Sequence, residues 1–248
     1  MDKRKPAPRN KVTARDVARL ALADVVRSGA YASAALDRQL LVAPLAADDK
    51  RLAASLFFTA VENRILLDHL LSQFWTERPD PVVEDILHIA AAQLLLMDRI
   101  PDHAAVDEAV KQVRASGRDG LSGLTNGILR SLIRARDDGE LPEIDDIAIR
   151  HSFAPNLAKR LIDAFGEDTA EDIMADRPRP NQTIRYNRLK TTVEAFENYL
   201  NAHDVKWERS VVPGAYTCQT AGNLARLDGF CNGYYSIQGE SSMLAAYA

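Results

Sequence analysis

The sequence predicts a mainly α-helical protein: a helical bundle, a helical connector, then the start of a small α/β subdomain. Three observations carry this. Apolar residues recur at helical spacing through residues 13–137. An acidic, turn-rich break, Asp137-Asp138-Gly139-Glu140-Leu141-Pro142, follows them. Helical patterning then stops at Arg177-Pro178-Arg179-Pro180, beyond which short strand-like runs flank one further helix.

The elements follow in order. Thr13 is a candidate N-cap for a helix carrying Val17, Leu20, Ala21, Val25 and Val26, ended by Gly29. Ala32–Leu41 gives a second helix, stopped by Pro44. A third opens at Asp48-Asp49 and runs through Leu52, Leu56, Val61 and Ile65 toward Trp75. Pro81 suits a first helical turn, and the segment from Val82 to Met97 is apolar almost all round, so it is expected at the bundle centre. His103–Val113 and Leu121–Ala135 complete the bundle, separated by the glycine-rich Gly117–Gly123 loop. Beyond the acidic break, short helices are expected over Ile144–His151, Pro155–Phe165 and Thr169–Ala175. Thr183–Asn187 reads as a strand and Thr192–His203 as an amphipathic helix. Val205–Val212, Ala215–Cys218 and Tyr234–Gln238 read as further strands, and a last amphipathic helix begins near Glu240.

Composition limits the function classes. No run reaches the roughly 18–20 apolar residues of a membrane span. The basic start Met1-Asp2-Lys3-Arg4-Lys5-Pro6 is followed by no apolar h-region. The two cysteines, Cys218 and Cys231, fit a reducing compartment and make no metal or disulfide framework, so the expected location is cytoplasmic. Net charge is −4, but it is unevenly spread. Residues 1–27 hold eight Lys/Arg against three acids, and residues 177–190 hold Arg177, Arg179, Arg185, Arg188 and Lys190 with no acid. Such islands in an acidic chain can track a phosphate backbone.

Familiar catalytic constellations are absent. There is no GxxxxGK[ST] loop, no GxGxxG and no nucleophile elbow. His69, His88, His103, His151 and His203 are scattered without ligand spacing, so no metal is expected. Cys218 has no nearby charge in sequence to lower its pKa and reads as a strand cysteine. On the last bundle helix, Asn126, Arg130 and Arg134 share a face, with Lys111 and Arg114 just upstream. This stripe suits phosphate contacts, and equally a solvated helix face.

Specific segments carry a family resemblance. Ala104-Ala105-Val106-Asp107-Glu108-Ala109-Val110, with Leu121-Ser122-Gly123-Leu124-Thr125-Asn126-Gly127-Ile128-Leu129-Arg130, resembles the "AAVNEAV … GLxGFVNAVLR" signature of the NusB-like RNA-binding domain. In particular it resembles the copy fused to bacterial 16S rRNA cytosine-C5 methyltransferases of the Sun/RsmB type. Asp49-Lys50-Arg51-Leu52-Ala53 is similar to that domain's "DRxLA", and Asp68-His69-Leu70-Leu71 to its "LDxxL". Ile149-Arg150-His151-Ser152-Phe153 resembles the family's "RHSxPxWL" linker. Ile184-Arg185-Tyr186-Asn187-Arg188 resembles its "LRVNxxK" strand, and Ile237-Gln238-Gly239-Glu240-Ser241-Ser242 its "VQDEAS" element.

The resemblance implies a basic disordered arm over 1–11, a NusB-like domain over 12–137 and a helical connector over 143–176. Residues 180–248 would begin an RRM-like part of the methyltransferase module. It implies 16S rRNA of the small subunit as partner. Arg185, Asn187 and Arg188 are the leading RNA contacts, with Arg15, Asn126, Arg130 and Arg134 a second set and Arg177 a further candidate. RNA loops are the favoured targets, because their unstacked bases are readable. In the family, S-adenosylmethionine binds a Rossmann-like domain through a "CAAPGGKT" loop, and two later cysteines perform the chemistry. The chain is expected to stop short of that C-terminal methyltransferase domain. No cofactor and no catalytic residue is therefore carried over, and the chain alone is expected to bind RNA without transferring methyl groups. The alternatives are a stand-alone NusB-type antitermination or ribosome-assembly factor, and a protein-interaction module.

Overall fold

The computed structural model describes residues 12–98, 100–176, 182–219 and 224–246. The expected basic arm over 1–11 lies outside the described residues, as do Arg177 and the Arg177–Pro180 helix stop. The chain divides into two compact units, Met1–Asp176 and Arg177–Ala248. The first unit is helical and the second carries a small antiparallel sheet. Among the described residues, no helix is long and apolar enough to cross a membrane.

The first unit begins with α1 (Ala14–Ser28), α2 (Ala32–Val42), α3 (Ala47–Glu62) and α4 (Arg64–Ser72). α1 starts on a capping box: the Thr13 hydroxyl accepts from the Asp16 N–H at 3.2 Å, and the Asp16 carboxylate accepts from the Thr13 N–H at 2.9 Å. It ends on Gly29 at φ 63°, the left-handed cap that glycine adopts without strain. The single helix expected from Asp48 to Trp75 is two helices. Asn63 leaves helical geometry at φ −110° and ψ 21°, and its side-chain amide donates to the Thr59 carbonyl at 2.9 Å. A short polar side chain that bonds the helix's own backbone interrupts the ladder, an effect that apolar spacing does not register.

α5 (Pro81–Leu96) is capped by Asp80, whose carboxylate accepts from the Val82 N–H at 2.9 Å. Every residue from Val83 to Leu94 is buried, so α5 is the central helix its all-round apolar pattern predicts. It packs against α1, α3, α4, α6 (Asp102–Ala115) and α7 (Ser122–Asp137), and Phe57, Leu67, Leu71, Ile86, Leu87, Leu129 and Leu132 fill the core. Short helices α8 (Ile147–Arg150), α9 (Pro155–Phe165) and α10 (Glu167–Ala175) belong to the same unit around a smaller core of Ile147, Ala158, Ala170 and Met174. Helix α8 starts later than the sequence predicts. Asp146 caps it, and the Ile144 carbonyl instead accepts from the Arg150 guanidinium.

Carboxylates held by arginines in this unit contribute to its stability against acid. The Arg118 hydrogen bond holds Asp80 below the usual carboxylate range, and Arg136 does the same for Asp102. Burial pushes Glu84 up, yet its hydrogen bond from Arg78 and the Arg78 and Arg64 charges together hold it low. Groups depressed in the fold stabilise it above their unfolded pKa of about 4, and that contribution is lost as pH falls through the folded values. Asp85 runs the other way, since burial raises it despite its hydrogen bond from Arg27. Its contribution is present at low pH and is lost as pH rises through the raised value. Helicity followed by circular dichroism is expected to hold from pH 7 to about 4.5 and to fall below that. Asp85→Asn, which keeps an acceptor for Arg27, is expected to raise the melting temperature at pH 7 without moving the acid midpoint upward.

The second unit runs β1 (Gln182–Tyr186), α11 (Val193–Ala202), β2 (Lys206–Arg209), β3 (Ala215–Gln219), α12 (Asp228–Cys231), β4 (Tyr235–Ile237) and α13 (Glu240–Leu244). The strands form one antiparallel sheet in the order β2-β3-β1-β4. Registers Ile184↔Tyr216, Trp207↔Cys218 and Tyr186↔Tyr235 fix one face, on which Phe196 and Leu200 of α11 pack. The strand expected over Val205–Val212 stops at Arg209, because the chain turns through Pro213 and Gly214, the latter at φ 80°. On the opposite face Met243 of α13 covers Val212 and Ala215.

Candidate nucleic-acid interface

The leading basic residues lie where β1 leaves the sheet. Ile184 is buried against α11, so its neighbour Arg185 must point to the opposite face, where it is exposed beside Ala215 and Ser236. Asn187 then stops the strand. Its amide nitrogen donates to the Gly233 carbonyl at 3.0 Å, its oxygen accepts from the Leu189 N–H at 3.1 Å, and its backbone N–H donates to the Tyr234 carbonyl at 2.7 Å. Expected as an RNA contact, Asn187 is also a brace that pins this turn to the loop before β4. Arg188 follows on the exposed crest of the turn.

Between that turn, Pro213-Gly214 and Gly233 lies a groove of about 640 Å3, lined by Arg185, Tyr186, Arg188, Leu189, Tyr235 and Ser236 among others, with no carboxylate among the described residues of its wall. Neither arginine has an ion-pair partner among the described residues. Two guanidinium groups, each with a fork of donors and no competing acid, make this an anion-accepting concavity. The walls at Gly214 and Gly233 come from segments that read in sequence only as turns. Both hold positive φ, and a side chain at Gly214 would meet the Tyr186 ring at 3.4 Å.

The second set divides. Asn126, Arg130 and Arg134 step along the outer side of α7, whose inner side is Thr125, Ile128, Leu129 and Leu132. Arg130 Nε donates to Asn126 Oδ1 at 3.1 Å and Arg134 donates to Ser131 at 3.0 Å. The depression beside them, about 400 Å3, includes Asp107, and its basic residues are engaged: Lys111 with Glu108 at 2.6 Å, Arg114 with Asp119 at 3.2 Å. Arg15 is turned toward α5, where its Nε donates to buried Gln93 at 2.8 Å, and burial lowers its pKa. It is not brought together with the α7 trio as a free cation.

The structure assembles one group that ligand spacing missed. Asp68, Glu84 and His88 place ligand-type atoms within 4.8 Å of one another. The signal was present, since Glu84 and His88 stand four apart on one helix. The carboxylates are already matched: Arg78 spans both Glu84 oxygens at 2.9 and 2.8 Å and reaches Asp68 at 2.9 Å, while Arg64 adds a bond to Glu84 at 2.9 Å. Two arginines on two acids leave no net negative charge to attract a cation, so the group reads as an ion-pair network joining α4 to α5. Cys218 is buried and its thiol is pushed up to about 11 by desolvation, which makes it a poor nucleophile.

Comparison with known proteins agrees with this architecture. Residues 12–134 match the model of the NusB family. Along 96% of the chain it is 30% identical to the probable ribosomal RNA small subunit methyltransferase B of Bacillus subtilis, covering 55% of that protein. Identity is 29% to the Synechocystis protein of that name, with 95% of this chain and 55% of the relative aligned. It is 32% to the ribosomal RNA small subunit methyltransferase B of Sodalis glossinidius, over 92% of this chain and 53% of the relative. The chain thus spans about half the length of the curated relatives it matches. In fold, 95% of it superposes on 55% of the crystal structure of PH0851 with a TM-score of 0.67 at 17% identity. Residues 12–134 match the NusB family model and have a NusB-like fold, followed by a small antiparallel-sheet unit, in a chain similar along nearly its whole length to the methyltransferase B proteins.

Proposed function

We propose that this chain is the RNA-recognition portion of an rRNA (cytosine-C5) methyltransferase and that it binds 16S rRNA in the cytoplasm. The observation that carries the reading is the alignment with methyltransferase B relatives through both units, not through the NusB-family residues alone. A stand-alone NusB-type factor gives no reason for similarity across residues 182–246. Arg185 and Arg188 in the groove are the primary RNA contacts, with Asn187 holding their turn in place. Arg130, Arg134 and Asn126 form an auxiliary face, and Arg177 and Arg15 add charge. By the family resemblance, S-adenosylmethionine and the catalytic cysteines would be held by the part of the relatives that this chain does not span.

An electrophoretic shift with 16S rRNA fragments at low salt is expected to show binding, and none at any concentration up to tens of micromolar would sink the RNA reading. Calorimetry with S-adenosylmethionine is expected to show no heat of binding. Micromolar affinity for the donor would overturn the division of labour between recognition and chemistry.

A further inference from the structure

The second unit has the β-α-β-β-α-β order of an RNA-recognition motif, a fold in which aromatic side chains on the sheet's outer face stack two or three bases. Here the aromatics are on the other side. Tyr186, Tyr216, Trp207 and Tyr235 face α11, where Phe196 lies 5.3 Å from Tyr216 and 5.9 Å from Tyr186. The two central strands offer the outer face only Thr183 and Arg185 from β1 and Ala215, Thr217 and Gln219 from β3. Part of that face is also closed, since Ala215 is 2% exposed beneath Met243. Stacking platforms are thus missing from the outer face of the central strands, while two guanidinium groups with no ion-pair partner among the described residues stand at the strand end, beside a groove with no described carboxylate.

We infer that this sheet unit grips the ribose-phosphate backbone of single-stranded RNA through Arg185 and Arg188 and does not read base identity by stacking. The inference rests on the RNA reading above. Charge favours a polyanionic strand over a protein partner: Leu189, Pro213, Tyr186 and Tyr235 give the groove some apolar wall, but its charged groups are two guanidiniums with no carboxylate among the described residues. Recognition of this kind is sequence-tolerant and electrostatic, so the position of the unit on its target comes from RNA shape and from other contacts.

The test uses the full chain and fluorescence anisotropy with oligoribonucleotides of about ten residues, a length that one small RNA-binding sheet domain can cover. U, A and C homopolymers are expected to bind within about threefold of one another, falling steeply with salt. Arg185→Ala with Arg188→Ala is expected to weaken all of them alike and to lower the log–log salt slope by about 1.4, the value for two lost single-strand phosphate contacts. Arg130→Ala with Arg134→Ala is the comparison and is expected to change the slope less; circular dichroism confirms that each variant folds. A homopolymer bound tenfold more tightly than the others would overturn the inference while leaving RNA recognition standing. So would an unchanged slope in the Arg185/Arg188 variant, or a chain that binds 16S fragments and no oligomer. Failure to bind either kind of RNA removes the RNA reading itself.

Discussion

Replacing Phe196 by alanine is expected to unfold the sheet unit and leave the helical unit folded. Phe196 is fully buried, with ring centroids 5.3 Å from Tyr216, 5.7 Å from Tyr235 and 5.9 Å from Tyr186. It is the only α11 side chain that reaches all three tyrosines among the described aromatic contacts, and the core it anchors is small. Removing a buried phenylalanine costs about 3–5 kcal/mol. A unit of this size has about 4–10 kcal/mol in total, so the substitution uses up much or all of it. Hydrogen exchange read by mass spectrometry is expected to show lost protection over residues 182–246, with helices α1 to α7 unchanged. Retained protection in β1 and β3 would mean that the aromatic cluster is not the core of this unit. RNA binding through Arg185 and Arg188 is expected to disappear with the sheet that positions them.

Glu84→Ala is expected to produce a large loss of stability in the helical unit. The carboxylate is buried and accepts from Arg64 and from both sides of the Arg78 fork. Taking it away leaves Arg64, whose side chain is only 21% exposed, without that partner. Breaking a fully buried pair costs about 3–5 kcal/mol, and the partial exposure of Arg78 reduces this to about 2–3. In a domain of this length the melting temperature should drop by about 5–10 °C. Glu84→Gln, which keeps acceptor and shape, should lose less. Differential scanning calorimetry at pH 7 checks both, and equal losses for the two variants would show that charge pairing is not what the network contributes.

Much of the helical unit was legible because long helices repeat a signal. Helix α5 announces its burial over four turns, and Thr13 announces the start of α1. The break at Asn63 was not legible, because Leu67, Leu70 and Leu71 continue the apolar pattern across it. The sheet unit is harder. Strands of three to five residues carry too few positions for an alternation to fix which face is buried. Only the registers show that Tyr186, Tyr216 and Tyr235 share the α11 side, and that Arg185 stands on the other. Arg185 and Arg188 could be picked out by charge, whereas the groove could not. Its walls come from three turns spread over residues 185–236, and glycine turn chemistry does not say which turns meet. The Asp68–Glu84–His88 group was hidden for a similar reason, since Asp68 and the neutralising Arg64 arrive from α4 and Arg78 from the segment that leads into α5.

The central claim is that this chain recognises RNA through its phosphates. Its most direct test is the dissociation constant for a 16S rRNA fragment measured from about 50 to 200 mM salt, a range over which several phosphate contacts weaken binding by orders of magnitude. The account predicts a straight log–log line of steep negative slope, made shallower by removing Arg185 and Arg188. Affinity that stays flat across that range, or an absence of binding at its low end, would contradict it.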